Sequence, residues 1–119
     1  MLTNFIFVGI GGAIGAILRY GINELFARYL ISSDTISILF INILGCFLIG
    51  LVLGSSMPSK DASYYFFIIG FLGSFTTMSA VTHQTILIVN TNLIYGVSYI
   101  MLTVLATIVA TYLGTLITK

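Results

Sequence analysis

Residues 70–80 read GFLGSFTTMSA, with two glycines, two threonines and two serines set inside a long uncharged run. Residues of these types weaken or bend helices and expose backbone. In water the stretch would pass for a loop. Its surroundings are not those of a water-exposed loop, because no formally charged residue falls between Asp61 and Lys119. A membrane interior tolerates irregular backbone only where protein or a cavity satisfies it. The stretch therefore raises the question of what satisfies it there.

Outward from this segment, the chain keeps the same character. It has 119 residues, 59% hydrophobic and 6% charged, with a mean hydropathy of +1.18. A soluble domain carries about a quarter charged residues, so the chain reads as an integral membrane protein. A helix needs roughly 20 apolar residues to cross the hydrocarbon core. Four such spans fit, with no room for a soluble domain, and a single transmembrane domain over residues 1–119 is expected. Transmembrane strands would alternate in short segments, and these runs do not.

Polar punctuation sets the expected boundaries. Span one runs from about Thr3 into the mid-twenties, with Arg19, Glu24 and Arg28 marking its exit. Ser32-Ser33-Asp34 make a turn, and span two covers about Thr35 to Leu53. Ser55 to Asp61 form the second turn, with the only proline, Pro58. Span three covers about Ser63 to Val89, Asn90-Thr91-Asn92 turn the chain, and span four runs from about Leu93 to Thr118. Connections this short predict that sequential helices are antiparallel neighbours. No cleavable signal peptide is expected, since the first residues lack a basic segment and no small-residue cleavage site follows. The single cysteine, Cys46, excludes an internal disulfide and reads as a small packing residue.

Span one contains a false lead. Gly9, Gly12 and Gly15 suggest a nucleotide-binding turn, but the G-x-G-x-x-G fingerprint started at Gly9 needs glycine where Ile14 stands. No sheet accompanies it either. Gly11 with Gly15, and Gly12 with Ala16, instead form small-xxx-small pairs that let helices approach closely in lipid.

Polar residues inside a membrane are functional candidates by default. Span two carries Asn42, and span four carries Tyr99, Thr103 and Thr107 on one helical stripe. That stripe is equally compatible with a pore lining and with hydroxyls bonding the carbonyl one turn back. Asn42 has less local recourse, with glue between helices as the alternative to a pore role. His83 has no Cys, Asp or Glu near it in sequence and reads as a hydrogen-bonded or vestibule residue. No nucleophile–base pair, paired carboxylate or metal-spaced ligand set occurs, so no enzyme is expected. Four basic residues do not make a nucleic-acid surface.

Three segments then match a known pattern. Gly11 to Tyr20, GGAIGAILRY, resembles the GGxxGAxxRY motif of the Fluc (CrcB-type) fluoride channels. Ile41 to Gly50, INILGCFLIG, resembles their VNxxGSFxxG, and GFLGSFTTMSA resembles their GFxGGxTTFST. The Tyr99, Thr103, Thr107 stripe is similar to their polar track. The resemblance covers all four helices in order. It implies a third helix broken near its middle, an antiparallel dual-topology dimer with two narrow anion pores, and a structural sodium ion at the dimer interface. By motif position, the carbonyls of Gly73 and Thr76 from both subunits would hold that ion. It further implies passive fluoride export across a bacterial plasma membrane.

Fluoride is small and tightly hydrated, so its pore must replace water with hydrogen-bond donors or positive ring edges. Asn42, Ser79, Tyr99, Thr103 and Thr107 are donors of this kind. Arg19 can raise anion concentration at a vestibule or anchor the helix at the interface. The family's two ring-bearing phenylalanines are absent, however, with Met78 and Val81 in their places. Ser74 replaces a glycine, Ala80 and Ile38 replace threonines, and Gln84 stands where a glutamate is frequent. These departures open the alternative of a heterodimer whose partner supplies the rings, and that of a non-conducting structural subunit. A small four-helix proton-coupled multidrug transporter is the remaining alternative, but it needs an embedded carboxylate, and the only glutamate lies near the exit of span one. The Lys/Arg balance is two against two across the expected topology and gives no orientation, as dual insertion would require.

Overall fold

The computed structural model describes residues 1–30, 34–55 and 60–119. It contains four helices long and apolar enough to cross a membrane: Leu2–Leu30, Asp34–Ser55, Tyr64–Val89 and Leu93–Thr118. They are spans one to four below. The expected turn residues Ser32 and Ser33, and Ser56 to Ser59 of the second turn, lie outside the described residues. The third turn sits at Asn90-Thr91-Asn92, and Asn92 caps span four by accepting from the Ile94 and Tyr95 amides at 3.0 and 3.2 Å. The long axis of the bundle is 46 Å, enough to cross a hydrocarbon core of about 30 Å.

Two spans depart from regular α-helix. Span one ends in a π-helical turn, Phe26–Leu30, and span three begins as π-helix over Tyr64–Leu72 before α-helical Gly73–Phe75. Thr76 (φ −79°, ψ 153°) and Thr77 (φ −149°, ψ 115°) are then extended. Helix resumes over Met78–Val89, capped by the Thr77 hydroxyl, which accepts from the Ala80 amide at 3.3 Å.

Small residues decide which spans touch. The expectation that sequential helices are the close neighbours is corrected for most of the bundle: the tightest packing joins span two to span four and span one to the first half of span three. Rising residue numbers meet rising ones across both seams, so these pairs run parallel. Between spans two and four, a side chain on Gly50 would strike the Thr111 backbone, and one on Gly114 the Phe47 carbonyl. The Thr111 and Thr118 hydroxyls donate across the seam to the Cys46 and Leu51 carbonyls at 3.1 and 2.7 Å. Between spans one and three, Gly11 and Gly15 lie against the Phe66 and Phe71 carbonyls. Ser74 then donates to the Gly12 carbonyl at 2.8 Å. In lipid there is no hydrophobic drive between helices, and close backbone approach with interhelical hydrogen bonds replaces it. Spans three and four are sequential neighbours only through the second half of span three, where Gly96 sits against Val89 and Thr85.

The outer surface remains apolar. Only 11% of the most apolar window of span one, and 33% of that of span two, is buried within the chain. The rest is suited to lipid or to a neighbouring subunit.

Candidate functional site

The site is a groove of about 180 Å³ where spans two, three and four meet. Asn42, Cys46, Thr76, Thr77, Met78, Val81, Thr103, Val104 and Thr107 line it. Five of the eight residues singled out for an anion path thus share one concavity: Asn42, Met78, Val81, Thr103 and Thr107. Tyr99 sits beside it, buried in a cluster with Ile38 and Val81, and donates its hydroxyl to the Thr35 carbonyl at 3.3 Å. Ser79 is exposed, with its oxygen 3.2 Å from the Thr77 hydroxyl. Arg19 is half-buried on span one and is not among the groove residues.

Asn42 is the most constrained of these groups. It is 6% exposed, its Nδ2 donates to the Thr77 carbonyl at 3.2 Å, and its Oδ1 accepts the Thr77 amide at 2.8 Å. A primary amide carries two N–H donors, so one N–H remains beyond the bond to Thr77. The lining threonines are held differently. Thr103 donates to the Tyr99 carbonyl at 2.8 Å, and Thr107 to the Thr103 carbonyl at 2.7 Å, both one turn back. Each hydroxyl oxygen keeps lone pairs for a water or another donor. A hydroxyl that reorients can instead donate to an anion.

The two aromatic-replacement positions are not equivalent. Met78 is 59% exposed at the outer side of the groove, whereas Val81 is 1% exposed and fully packed. The wall offered by Val81 is a core side chain. Met78 is a flexible thioether facing out of the subunit.

The backbone near Thr76 and Thr77 has its own chemistry. In an uninterrupted helix the Thr77 amide would bond the Gly73 carbonyl, and the Ala80 amide the Thr76 carbonyl. Here side chains take both donors: Asn42 Oδ1 the first and Thr77 Oγ1 the second. Gly73 is exposed and its flank is open, a Cβ there meeting nothing nearer than the Ile68 carbonyl at 3.6 Å. Neutral carbonyl oxygens relieved of their helical donors suit a hard cation. Among the described residues no group of three His, Cys, Asp or Glu could hold a metal through side chains.

Several contributors were not singled out from sequence. Thr77 anchors both the cap and the Asn42 pair. Its signal was available, because a threonine just before an apolar helical run is an N-cap candidate. Cys46 lines the groove and its carbonyl receives Thr111, which nothing in its type or spacing announces. Gln84 accepts from the Thr35 hydroxyl at 3.0 Å, and His83 is exposed.

Comparison with known proteins covers the whole chain. The sequence pattern of the family described as "CrcB-like protein, Camphor Resistance (CrcB)" matches residues 6–115. A protein named Fluoride-specific ion channel FluC from Azobacteroides pseudotrichonymphae is 32% identical over 100% of this chain and 98% of its own length. A FluC from Haemophilus ducreyi is 35% identical over 99% of this chain and 94% of its own length. One from Campylobacter jejuni is 37% identical over 100% of both. With four membrane spans, the three helix motifs in order and matches that run from end to end, this chain belongs to the CrcB-like family.

Proposed function

We propose that this protein is a subunit of a fluoride-specific ion channel in a bacterial cell membrane, allowing passive fluoride export that lowers cytoplasmic fluoride. The observation that carries the proposal is the groove at Asn42: a cleft among the membrane-spanning helices whose largely apolar lining carries an amide and several threonine hydroxyls, in a chain matched along its length by proteins named for fluoride conduction. Donors without a fixed cation can replace water around fluoride without trapping it. Asn42, Thr103 and Thr107 supply these donors, Tyr99 and Ser79 flank the path, and Arg19 raises the anion concentration at one vestibule. No chemical conversion is involved, so no enzymatic group is needed.

The working unit is an antiparallel dimer of dual-topology subunits, with the interruption at Thr76 and Thr77 facing the two-fold axis. The Gly73 and Thr76 carbonyls would hold a structural sodium ion there, which would neutralise the oxygen-rich axis and tie the subunits together. Support comes from the loss of both helical donors to side chains and from the exposure of Gly73.

A second reading has its own observation. Met78 projects outward, 59% exposed, where the family resemblance has a phenylalanine ring. In this reading the chain works in a heterodimer whose partner brings the rings. The proton-coupled transporter is disfavoured because Glu24, the only glutamate, faces Arg28 at 3.6 Å near the end of span one, its side chain 45% exposed. The test is growth of fluoride-hypersensitive cells. Protection by this chain alone supports a conducting homodimer, and protection only with a phenylalanine-bearing relative supports the heterodimer. No protection in either setting, with the protein present in the membrane, overturns the channel.

A further inference from the structure

Asn42 binds Thr77 as a peptide group would, donating to its carbonyl and accepting its amide. Both bonds are buried and both go to one residue on another span. A side chain that captures the Thr77 N–H prevents it from returning to the Gly73 carbonyl four residues earlier. Thr77 Oγ1 does the same to the Ala80 N–H, which would otherwise return to Thr76. Asn42 also lines the groove, together with Thr103 and Thr107. One residue therefore touches the groove and takes the helical donor of the carbonyl of Gly73, an exposed residue.

We propose that Asn42 is a positioning residue for the cation centre, holding Thr77 extended so that the Gly73 carbonyl stays available to a hard monovalent cation. The proposal rests on the sodium-stabilised dimer described above and adds a coupling to it: the side chain lining the anion path sets the affinity at the dimer axis. Truncating Asn42 returns the Thr77 amide to Gly73 and closes the gap in the helix. Truncating Thr77 leaves both Asn42 bonds in place, because they go to its backbone, and removes only the cap on the Ala80 amide. Loss of Asn42 withdraws one carbonyl per subunit from the cation.

The test uses the purified chain in detergent without fluoride. The thermal-unfolding midpoint is followed as sodium replaces N-methylglucamine at constant ionic strength. Asn42→Ala should raise the sodium concentration for half-maximal stabilisation by about tenfold or more, the scale of losing a hydrogen-bonding partner for a charged group. Asn42→Leu, which keeps the side-chain volume but has no acceptor for the Thr77 amide, should act in the same direction and carries the test if Asn42→Ala does not fold. Thr115→Val, whose hydroxyl donates to the Tyr112 carbonyl at 2.6 Å and which lies outside the groove, should leave the sodium midpoint unchanged. Isotope-edited infrared of a carbonyl-labelled Gly73 should move to the helical band in Asn42→Ala, a change that general loosening would not produce. Sodium midpoints equal to wild type in both Asn42→Ala and Asn42→Leu overturn the proposal. A wild-type protein indifferent to sodium overturns the sodium reading itself, and the coupling with it.

Discussion

Two polar regions face each other across the groove and hold their groups in opposite ways. On span four, Thr103 and Thr107 donate to carbonyls of their own helix, so their geometry survives without any neighbour. On span two, Asn42 is bonded to another span, and the backbone it meets is non-helical. The first arrangement is local and robust; the second is a tertiary junction. The comparison separates residues that line a path from a residue that also builds it. Removing a lining hydroxyl should change conduction with little structural effect, whereas altering the junction should change both.

The largest expected effect is at the junction. Asn42→Asp places a carboxylate against the Thr77 carbonyl, loses the donated hydrogen bond and repels an entering anion. Fluoride flux should fall by about two orders of magnitude or more, the scale set by an unpaired buried polar group and a like charge in a confined path. Fluoride efflux measured on folded dimer would check this, and unchanged efflux would remove Asn42 from the path.

Next comes the seam that supports the groove. Gly50→Leu drives a side chain into the Thr111 backbone, where little can yield. Overpacking of this kind costs about 1–3 kcal/mol and more when backbone must move. The expected result is a loss of monodisperse protein by size-exclusion chromatography, with normal behaviour for Gly9→Ala, whose added carbon meets nothing within 4 Å.

The aromatic positions should then split. Met78→Phe fits an exposed site and should raise conduction by the homodimer if ring edges are what it lacks. Val81→Phe enters a fully packed core beside Ile38 and Tyr99, and should destabilise by about 1–3 kcal/mol. Thermal midpoints and efflux for the two single variants would show whether the core cost masks the conduction gain in the double variant.

The smallest structural effect is expected on the stripe. Thr103→Val removes a donor to a carbonyl that remains within its own helix ladder, so nothing buried is stranded. Stability should change by no more than about 1 kcal/mol. Efflux that also stays unchanged would mean that this hydroxyl serves the helix alone and not the ion.

Composition made the four spans legible, because uncharged runs of this length have few other homes. It also singled out the stretch that contains the extended residues Thr76 and Thr77. The pairing of spans was not legible. Short connections favour sequential neighbours, but Gly50 and Gly114, and Gly11 and Gly15, override that tendency by permitting backbone contact between parallel spans. Nor could spacing separate the two possibilities for the threonine stripe. Their in-helix bonds leave both in force, since a back-bonded hydroxyl can still line a groove. The pair of hydrogen bonds between Asn42 and Thr77 joins residues 35 apart in sequence, and no local pattern encodes it. Ser74, a departure from the family glycine, finds its reason only in space, where it bonds span one.

The most direct test is fluoride efflux from liposomes containing only this purified chain, recorded with a fluoride electrode against a chloride control. A fluoride channel with a donor-lined groove should release fluoride passively and selectively, without ATP or a proton gradient, and Asn42→Asp should silence it. No fluoride efflux from liposomes that contain correctly assembled protein, alone or with a phenylalanine-bearing relative, would contradict the channel function.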